Sequence, residues 1–233
     1  MTSPLFERSE ILLGPRAMEA LASTRVILFG VGGVGSWCAE ALIRSGLGHL
    51  TLVDDDCVAP SNVNRQRMAT PSVIGQPKVE LLRSILLEIN PEANIQAIHK
   101  RYTAESSPEF HLEEYDYILD AIDALKDKVA LILNASRTPA TFFSSMGAAA
   151  KTDPTLVRVA DFWDVRNCPL GAALRKRIRQ GRILPEKPFR CVYSQELRPG
   201  RGTILSVTGT FGFTLASLVI QDIHRLNPSE ENA

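Results

Sequence analysis

The sequence predicts an α/β protein built on a Rossmann-like, doubly wound, mostly parallel sheet with a C-terminal strand and helix extension. Three observations carry this. Short apolar, β-rich runs alternate with amphipathic stretches at helical spacing over residues 25–151. A glycine turn, Gly30-Val-Gly-Gly-Val-Gly35, follows the first of those runs directly. The composition is that of an ordinary globular chain, with 233 residues of which 45% are hydrophobic and 22% charged. It excludes a largely disordered chain, a collagen-like chain and a polytopic membrane protein.

Residues 1–24 read as an N-terminal helical segment. Met1 to Glu10 holds Glu7, Arg8 and Glu10 and lacks an apolar core, so no secretory signal is expected. Arg25 to Phe29 is a strand, and Ser36 to Ser45 is a helix stopped by Gly46 and Gly48. Leu50 to Val53 is a second buried strand that ends in Asp54-Asp55-Asp56. Pro77 to Ile89 carries Val79, Leu82, Leu86 and Ile89 at helical spacing, and Asn90-Pro91 ends it. Strands follow at Ile95 to Ile98, Tyr117 to Ala121 and Thr141 to Ser145, with a helix over Leu125 to Ala135. Residues 25–151 form the core on this reading. Residues 152–233 are a basic extension in the same globule, with a strand at Leu156 to Ala160, a basic helix at Leu170 to Gln180 and a Pro/Arg-rich loop to Pro199. Gly202 to Gln221 runs 20 residues without a charge. Its Ser, Thr and Gly content points to a buried strand followed by a core helix rather than a membrane span.

The net charge is zero, with 26 basic and 26 acidic residues, but it is unevenly spread. Residues 1–157 carry 14 basic and 19 acidic side chains, whereas residues 158–201 carry 11 basic and 4 acidic. Cys38, Cys57, Cys168 and Cys191 show no C-x-x-C spacing. They fit a reducing, cytoplasmic setting and do not make a four-thiolate zinc site.

The glycine turn suggests a nucleotide. Gly30 allows the tight turn, Gly32 lets backbone approach a phosphate, and Gly35 lets the helix pack on the strand. Asp54, at the end of the next strand, is placed for ribose hydroxyls. Dinucleotide and ATP both fit that much. Arg65 and Lys78 favour a triphosphate, which needs cations, and Asp123 at a strand end is suited to hold Mg²⁺. Hydride transfer needs none of these, so a redox enzyme is the less favoured reading.

Taken together, Gly30-Val-Gly-Gly-Val-Gly-Ser36, Asp54-Asp-Asp56, Asn62-Val-Asn-Arg-Gln66, Gly75-Gln-Pro-Lys78 and Asp120-Ala-Ile-Asp123 resemble the adenylation domain of the ubiquitin-activating-enzyme superfamily, of the ThiF/MoeB type. The resemblance implies phosphate contacts at Gly33, Asn62, Arg65 and Lys78, ribose binding at Asp54, and Mg²⁺ at Asp123. Asp56 and Gln66 fall within the same nucleotide-binding motifs. It also implies a homodimer in which an Arg before the first strand reaches the neighbouring subunit's ATP. Arg8 is the matching position, although a solvated helix residue would look the same.

The second half resembles one branch, the tRNA threonylcarbamoyladenosine dehydratases. The similar pieces are Thr152-Asp-Pro-Thr155, the basic helix, Cys191-Val-Tyr-Ser194 with Glu196, and Thr210-Phe-Gly-Phe213. Asn167-Cys168-Pro169 departs from the branch's usual Asp-Pro. The branch implies ATP-dependent cyclisation of threonylcarbamoyladenosine beside the tRNA anticodon, by adenylation of its carboxylate. The alternative is a ThiF/MoeB-like activator of the C-terminus of a small sulfur-carrier protein, and a sulfur-relay partner stays open. Arg175, Lys176, Arg177 and Arg179 are the candidate tRNA surface, with Phe189 and Tyr193 the aromatics nearby. Cys191 is a candidate thiol whose pKa Arg190 and Lys187 would depress, against a purely structural role.

Overall fold

The computed structural model describes residues 3–228. Met1, Thr2 and residues 229–233, the outermost parts of the expected N-terminal segment and C-terminal extension, lie outside the described residues. The chain opens with helices α1 (Glu7–Leu13) and α2 (Pro15–Ser23). Then follow β1 (Arg25–Phe29), α3 (Gly35–Arg44), β2 (His49–Val53), α4 (Lys78–Ile89), β3 (Asn94–Ile98), β4 (Tyr117–Asp120), α5 (Leu125–Ala135) and β5 (Thr141–Ser145). The last third adds β6 (Val157–Asp161), α6 (Pro169–Gly181), β7 (Arg190–Ser194) and α7 (Leu205–Leu226).

The seven strands among the described residues form one sheet in the order β3-β2-β1-β4-β5-β7-β6. All neighbours are parallel except β6, which pairs antiparallel with β7 at the edge. Chain order reverses between β1 and β4. That is the switch point where an open parallel sheet leaves a crevice at the carboxyl ends of its strands.

Strand periodicity divides the core in two. Val26 and Leu28 face one side with Leu50 and Leu52, against α2, α3, α4 and α7. Ile27 and Phe29 face the other with Ile118 and Phe142, against α5, α6 and the aromatic group Tyr102, Phe110, Phe162 and Phe189. A sheet buried on both faces needs continuous apolar runs, and residues 26–29 are one. Each fully buried Leu or Phe here contributes about 1.5–3 kcal/mol.

The structure corrects the expected strands and helices in two places. Residues 205–226 are one helix with no strand before it. The Thr residues that favour a strand are accommodated because their hydroxyls donate back to the preceding turn, Thr210 to Ser206 O and Thr214 to Thr210 O, both at 2.7 Å. Burial of Val207, Phe211, Leu215 and Val219 against α3 and the sheet outweighs strand propensity. The stretch read as a Pro/Arg-rich loop contains β7, which lies between β5 and β6. Its Cys191-Val192-Tyr193 run is buried, and the flanking Pro and Arg obscured it. No described helix is long and apolar enough to cross a membrane.

Candidate active site

A cleft of about 450 Å³ lies over the carboxyl ends of β1, β2 and β4 and extends across β5. Its floor begins at the glycine turn. Gly30 has φ +85°, and a Cβ there would come within 2.8 Å of Ala121 O, so this position needs glycine. At Gly35 a Cβ would meet Gly30 O at 1.8 Å. Gly35 therefore brings α3 onto the turn and is absent from the cleft lining, which narrows its expected cofactor role to packing.

β2 delivers Asp54 to the cleft. One carboxylate oxygen accepts from the Val31 N–H at 2.8 Å and the other from the Asp56 N–H at 2.9 Å. Burial pushes the Asp54 carboxyl up from its ordinary range, against the pull of Lys78 and those two amides. Lys78, at the first position of α4, is 4% exposed. Its Nζ lies 2.6 Å from Asp56 Oδ2 in an ion pair that holds the ammonium in the cleft wall.

The crossover between β2 and α4 supplies Asn62, Arg65 and Gln66. The Arg65 side chain lies over Gly33, with Cγ and Cδ 3.1 Å from where a Cβ would stand. Its Nη1 donates to Ser61 O at 2.6 Å, and its own carbonyl accepts from Trp37 Nε1 at 2.8 Å. Gln66 Oε1 is buried and has no hydrogen-bond partner among the described residues. An orphaned acceptor inside a cleft is costly unless a ligand donor meets it.

β4 ends in Asp120, and the turn after it presents Asp123 at the cleft's edge. Asp123 is exposed and makes no hydrogen bond or ion pair with another described residue. Asp54, Asp55 and Asp56 also bring three carboxylate oxygens within 4.8 Å of one another. There, however, both Asp54 oxygens and one of Asp56's are already engaged by protein donors. Among the described residues, Asp55's carboxylate and Asp56 Oδ1 stay open there, and at the cleft's edge the carboxylate without a protein donor is Asp123.

Several cleft residues escaped the sequence reading. Arg101, just past β3, lines the cleft and is held through Nε and Nη2 by Asp127 Oδ2 at 2.8 and 2.7 Å. The rule that ligands gather at the carboxyl ends of parallel strands would have pointed to Lys100 and Arg101. The far arm of the cleft is lined by Ser145, Met146, Gly147, Ala148, Leu170 and Thr203. Asn64 Nδ2 donates to Thr203 O at 2.8 Å, tying the crossover to the loop before α7.

Arg8 stands exposed on α1 and does not line this cleft. On α6, Leu174 and Ile178 turn inward while Lys176, Arg177 and Arg179 are exposed. Arg175 differs from them. It is half-buried, donates to Phe162 O at 3.1 Å and lies over the Phe162 ring. Phe189 and Tyr193 are buried in the core, and the exposed aromatic beside the basic face is Trp163, beneath Arg179 at 5.2 Å.

The expectation of a depressed thiol at Cys191 is corrected. The residue is fully buried in β7, and loss of solvent pushes its thiol well above the ordinary value, outweighing the pull of Lys128. Arg190 lies instead over the Phe143 ring, in a second pocket with Lys187 and Arg225 at the amino ends of the strands.

Comparison with known proteins places this geometry. The model of the ThiF family matches residues 6–228. The chain is 40% identical over 191 residues to the tRNA threonylcarbamoyladenosine dehydratase of Bacillus subtilis, covering 82% of this chain and 74% of the relative. It superposes on the crystal structure of the Escherichia coli tRNA threonylcarbamoyladenosine dehydratase in complex with ATP with a TM-score of 0.89 and 33% identity, over 95% of this chain and 94% of that one. Similarity to the Escherichia coli molybdopterin-synthase adenylyltransferase is 37% over 105 residues, covering 45% of this chain and 42% of the relative.

Proposed function

We propose that this chain, which belongs to the ThiF family, is an ATP-dependent tRNA threonylcarbamoyladenosine dehydratase that works by adenylating the carboxylate of its substrate. The observation that carries the reading is one cleft with two arms. One arm holds Asp54, Arg65, Gln66, Lys78 and Asp123 around the glycine turn, and the other runs over β5 to the start of α6. The near arm suits a nucleoside triphosphate. Asp54 accepts from ribose hydroxyls, Gln66 Oε1 gains the donor it lacks, and Arg65 and Lys78 neutralise phosphate charge. Asp123 would hold Mg²⁺, which when bound offsets charge on the phosphate oxygens.

A carboxylate is a poor electrophile because its leaving group would be oxide. Attack of its oxygen on the α-phosphate of ATP forms an acyl-adenylate and expels pyrophosphate. A nitrogen of the same threonylcarbamoyl group then attacks the activated carbonyl, AMP leaves, and the ring closes with net loss of water. The protein's contribution is orientation and charge neutralisation. No protein nucleophile is required, in keeping with a Cys191 thiol that burial keeps protonated.

The far arm would take the modified base. α6 leaves that arm at Leu170, so Lys176, Arg177 and Arg179 stand roughly 9–14 Å further along the helix at 1.5 Å per residue. At that reach they meet phosphates flanking the base, not the reacting atoms. A homodimer would bring Arg8 to the partner's triphosphate.

The test is pyrophosphate release by the pure protein with tRNA bearing threonylcarbamoyladenosine, against release with a carrier protein ending in Gly-Gly. Stimulation by the tRNA, together with a tRNA nucleoside lighter by one water in mass spectrometry, is expected. Stimulation by the carrier alone would overturn the reading in favour of sulfur-carrier activation.

A further inference from the structure

We propose that Lys128 is a positioning residue for adenylation. With Asp120 it clamps the peptide groups on both sides of Ile122 and so fixes where the backbone presents Asp123. The inference rests on the reading of Asp123 given under Proposed function.

Lys128, in the first turn of α5, and Asp120, at the end of β4, both have side chains with no solvent exposure, and Nζ lies 2.7 Å from Oδ2. Each sends a second bond to the same residue of the turn between them. Asp120 Oδ1 accepts from the Ile122 N–H at 3.0 Å, and Lys128 Nζ donates to the Ile122 carbonyl at 2.9 Å. Ser144 Oγ, on the neighbouring β5, donates to Asp120 Oδ2 at 2.7 Å and locks the carboxylate. The turn is anchored on its other side by the Ala121 N–H, which donates to Phe29 O at 2.8 Å. It also packs on the glycine turn, since a Cβ at Gly30 would meet Ala121 O.

Asp123 has no partner of its own among the described residues, so its placement depends on the backbone that carries it. Mg²⁺ demands near-ideal octahedral geometry from few protein ligands. A loose turn would satisfy that demand poorly. A buried ion pair is also an expensive way to hold a fold, because a neutral pair of similar volume commonly serves stability as well. What the charges add here is direction. The long ammonium arm reaches a carbonyl that Asp120 cannot satisfy, while the carboxylate takes the amide on the other side.

Lys128→Met alone would leave Asp120 buried and unpaired, which threatens the fold. The informative variant is Asp120→Asn with Lys128→Met. The introduced amide oxygen can still accept the Ile122 N–H and its NH2 can donate to Ser144 Oγ, while the ion pair and the donor to the Ile122 carbonyl are removed together. Two measurements need no turnover. Without nucleotide, hydrogen exchange at the Ile122 amide, whose bond to residue 120 depends on a fixed turn, is expected to quicken about tenfold, the scale of one buried hydrogen bond, while amides in β1 and α3 keep their protection. In calorimetry with a non-hydrolysable ATP analogue, affinity without metal is expected to stay within about twofold. The extra affinity conferred by Mg²⁺ is expected to fall about tenfold.

A folded double variant with wild-type exchange at the Ile122 amide and the wild-type gain from Mg²⁺ overturns the proposal. If the double variant does not fold, Ser144→Ala gives the decision with the ion pair intact. Faster exchange at Ile122 and a weaker Mg²⁺ gain support the clamp, and no change in either refutes it. A wild-type protein that binds the analogue equally with and without Mg²⁺ would instead fail the metal assignment of Asp123. The exchange data would then still decide the clamp.

Discussion

The molecule carries two sets of cations, and they are built in opposite ways. In the cleft each is held. Lys78 is buried and paired with Asp56, Arg101 is gripped by two nitrogens on Asp127, and Arg65 is tied to Ser61 O. On α6, Lys176, Arg177 and Arg179 project into solvent without an ion pair to any described carboxylate. Holding a cation restricts its side-chain freedom before the ligand arrives, which suits a triphosphate whose oxygens must sit in one geometry. Free cations contribute a diffuse field to a long polyanion, where register matters less than neutralised charge. Arg175 shows the boundary between the two. It sits within the basic stretch of sequence, yet it is spent on Phe162 and belongs to the fold.

The contrast can be broken most severely in the cleft. Lys78→Ala and Asp123→Ala should each lower the rate of tRNA-stimulated pyrophosphate release by about 10²–10³-fold, the usual scale for removing one preorganised electrostatic interaction. Circular dichroism should show both variants folded, because the carboxylate that Lys78 leaves behind, on Asp56, is solvent-exposed. Retained turnover in Lys78→Ala would show that held charge is not what the cleft uses, and retained turnover in Asp123→Ala would remove the metal assignment of Asp123. Arg8→Ala tests whether a third cation enters from a partner. Arg8→Ala and Lys78→Ala proteins should each be inactive, and mixing them with subunit exchange should restore about a quarter of the intact sites if Arg8 acts across a two-fold interface. No recovery on mixing would place Arg8 outside the site.

Changes on α6 should have a smaller and different effect. Replacing Lys176, Arg177 and Arg179 with Gln should weaken tRNA binding and lower the slope of log K against log salt by roughly 2–3, about 0.7–0.9 for each phosphate no longer neutralised. ATP binding should be unchanged. Arg175→Gln should instead lower the melting temperature with little change in that slope. Equal slopes for all these variants would remove the distinction between free and held cations on this helix.

The smallest expected effect concerns the loop beyond the far arm. Glu196 accepts from the N–H groups of Asp153 and Thr152 and from the Thr152 hydroxyl, and these bonds hold its carboxyl below the ordinary carboxylate range. A depressed carboxyl contributes stability above its unfolded pKa, and that contribution is lost as pH falls through the lower folded value. Wild type should therefore melt slightly above Glu196→Gln at neutral pH, and the gap should close in acid. A gap independent of pH would mean that the charge on Glu196 does not matter to this loop.

Much of the near arm was legible in the chain, for a local reason. Gly30 to Gly35, Asp54 and Lys78 each follow a strand or open a helix, and in an open parallel sheet those ends meet by topology, while Arg65 stands in the crossover that joins two of them. The C-terminal third was less legible. A buried strand reads as apolar, but Arg190–Ser194 is flanked by Pro188 and Arg198, and its place between β5 and β6 is a long-range fact. Gly202 to Gln221 reads as part strand because β-branched and small residues dominate it. Its helix is decided by α3, against which Gly212 packs so closely that a Cβ would meet Val34 O at 2.4 Å.

By itself the sequence determined the alternation of strands and helices, the glycine turn and the residue types proposed to meet a triphosphate, because these are set by periodicity and by chemistry within a few residues. Only the tertiary structure decided which charges are held and which are free, that the Cys191 thiol is sealed in the sheet, and that Lys128 and Asp120 meet around Ile122. Burial and partner choice depend on what lies across the fold, and a side chain's neighbours in space are not its neighbours in the chain.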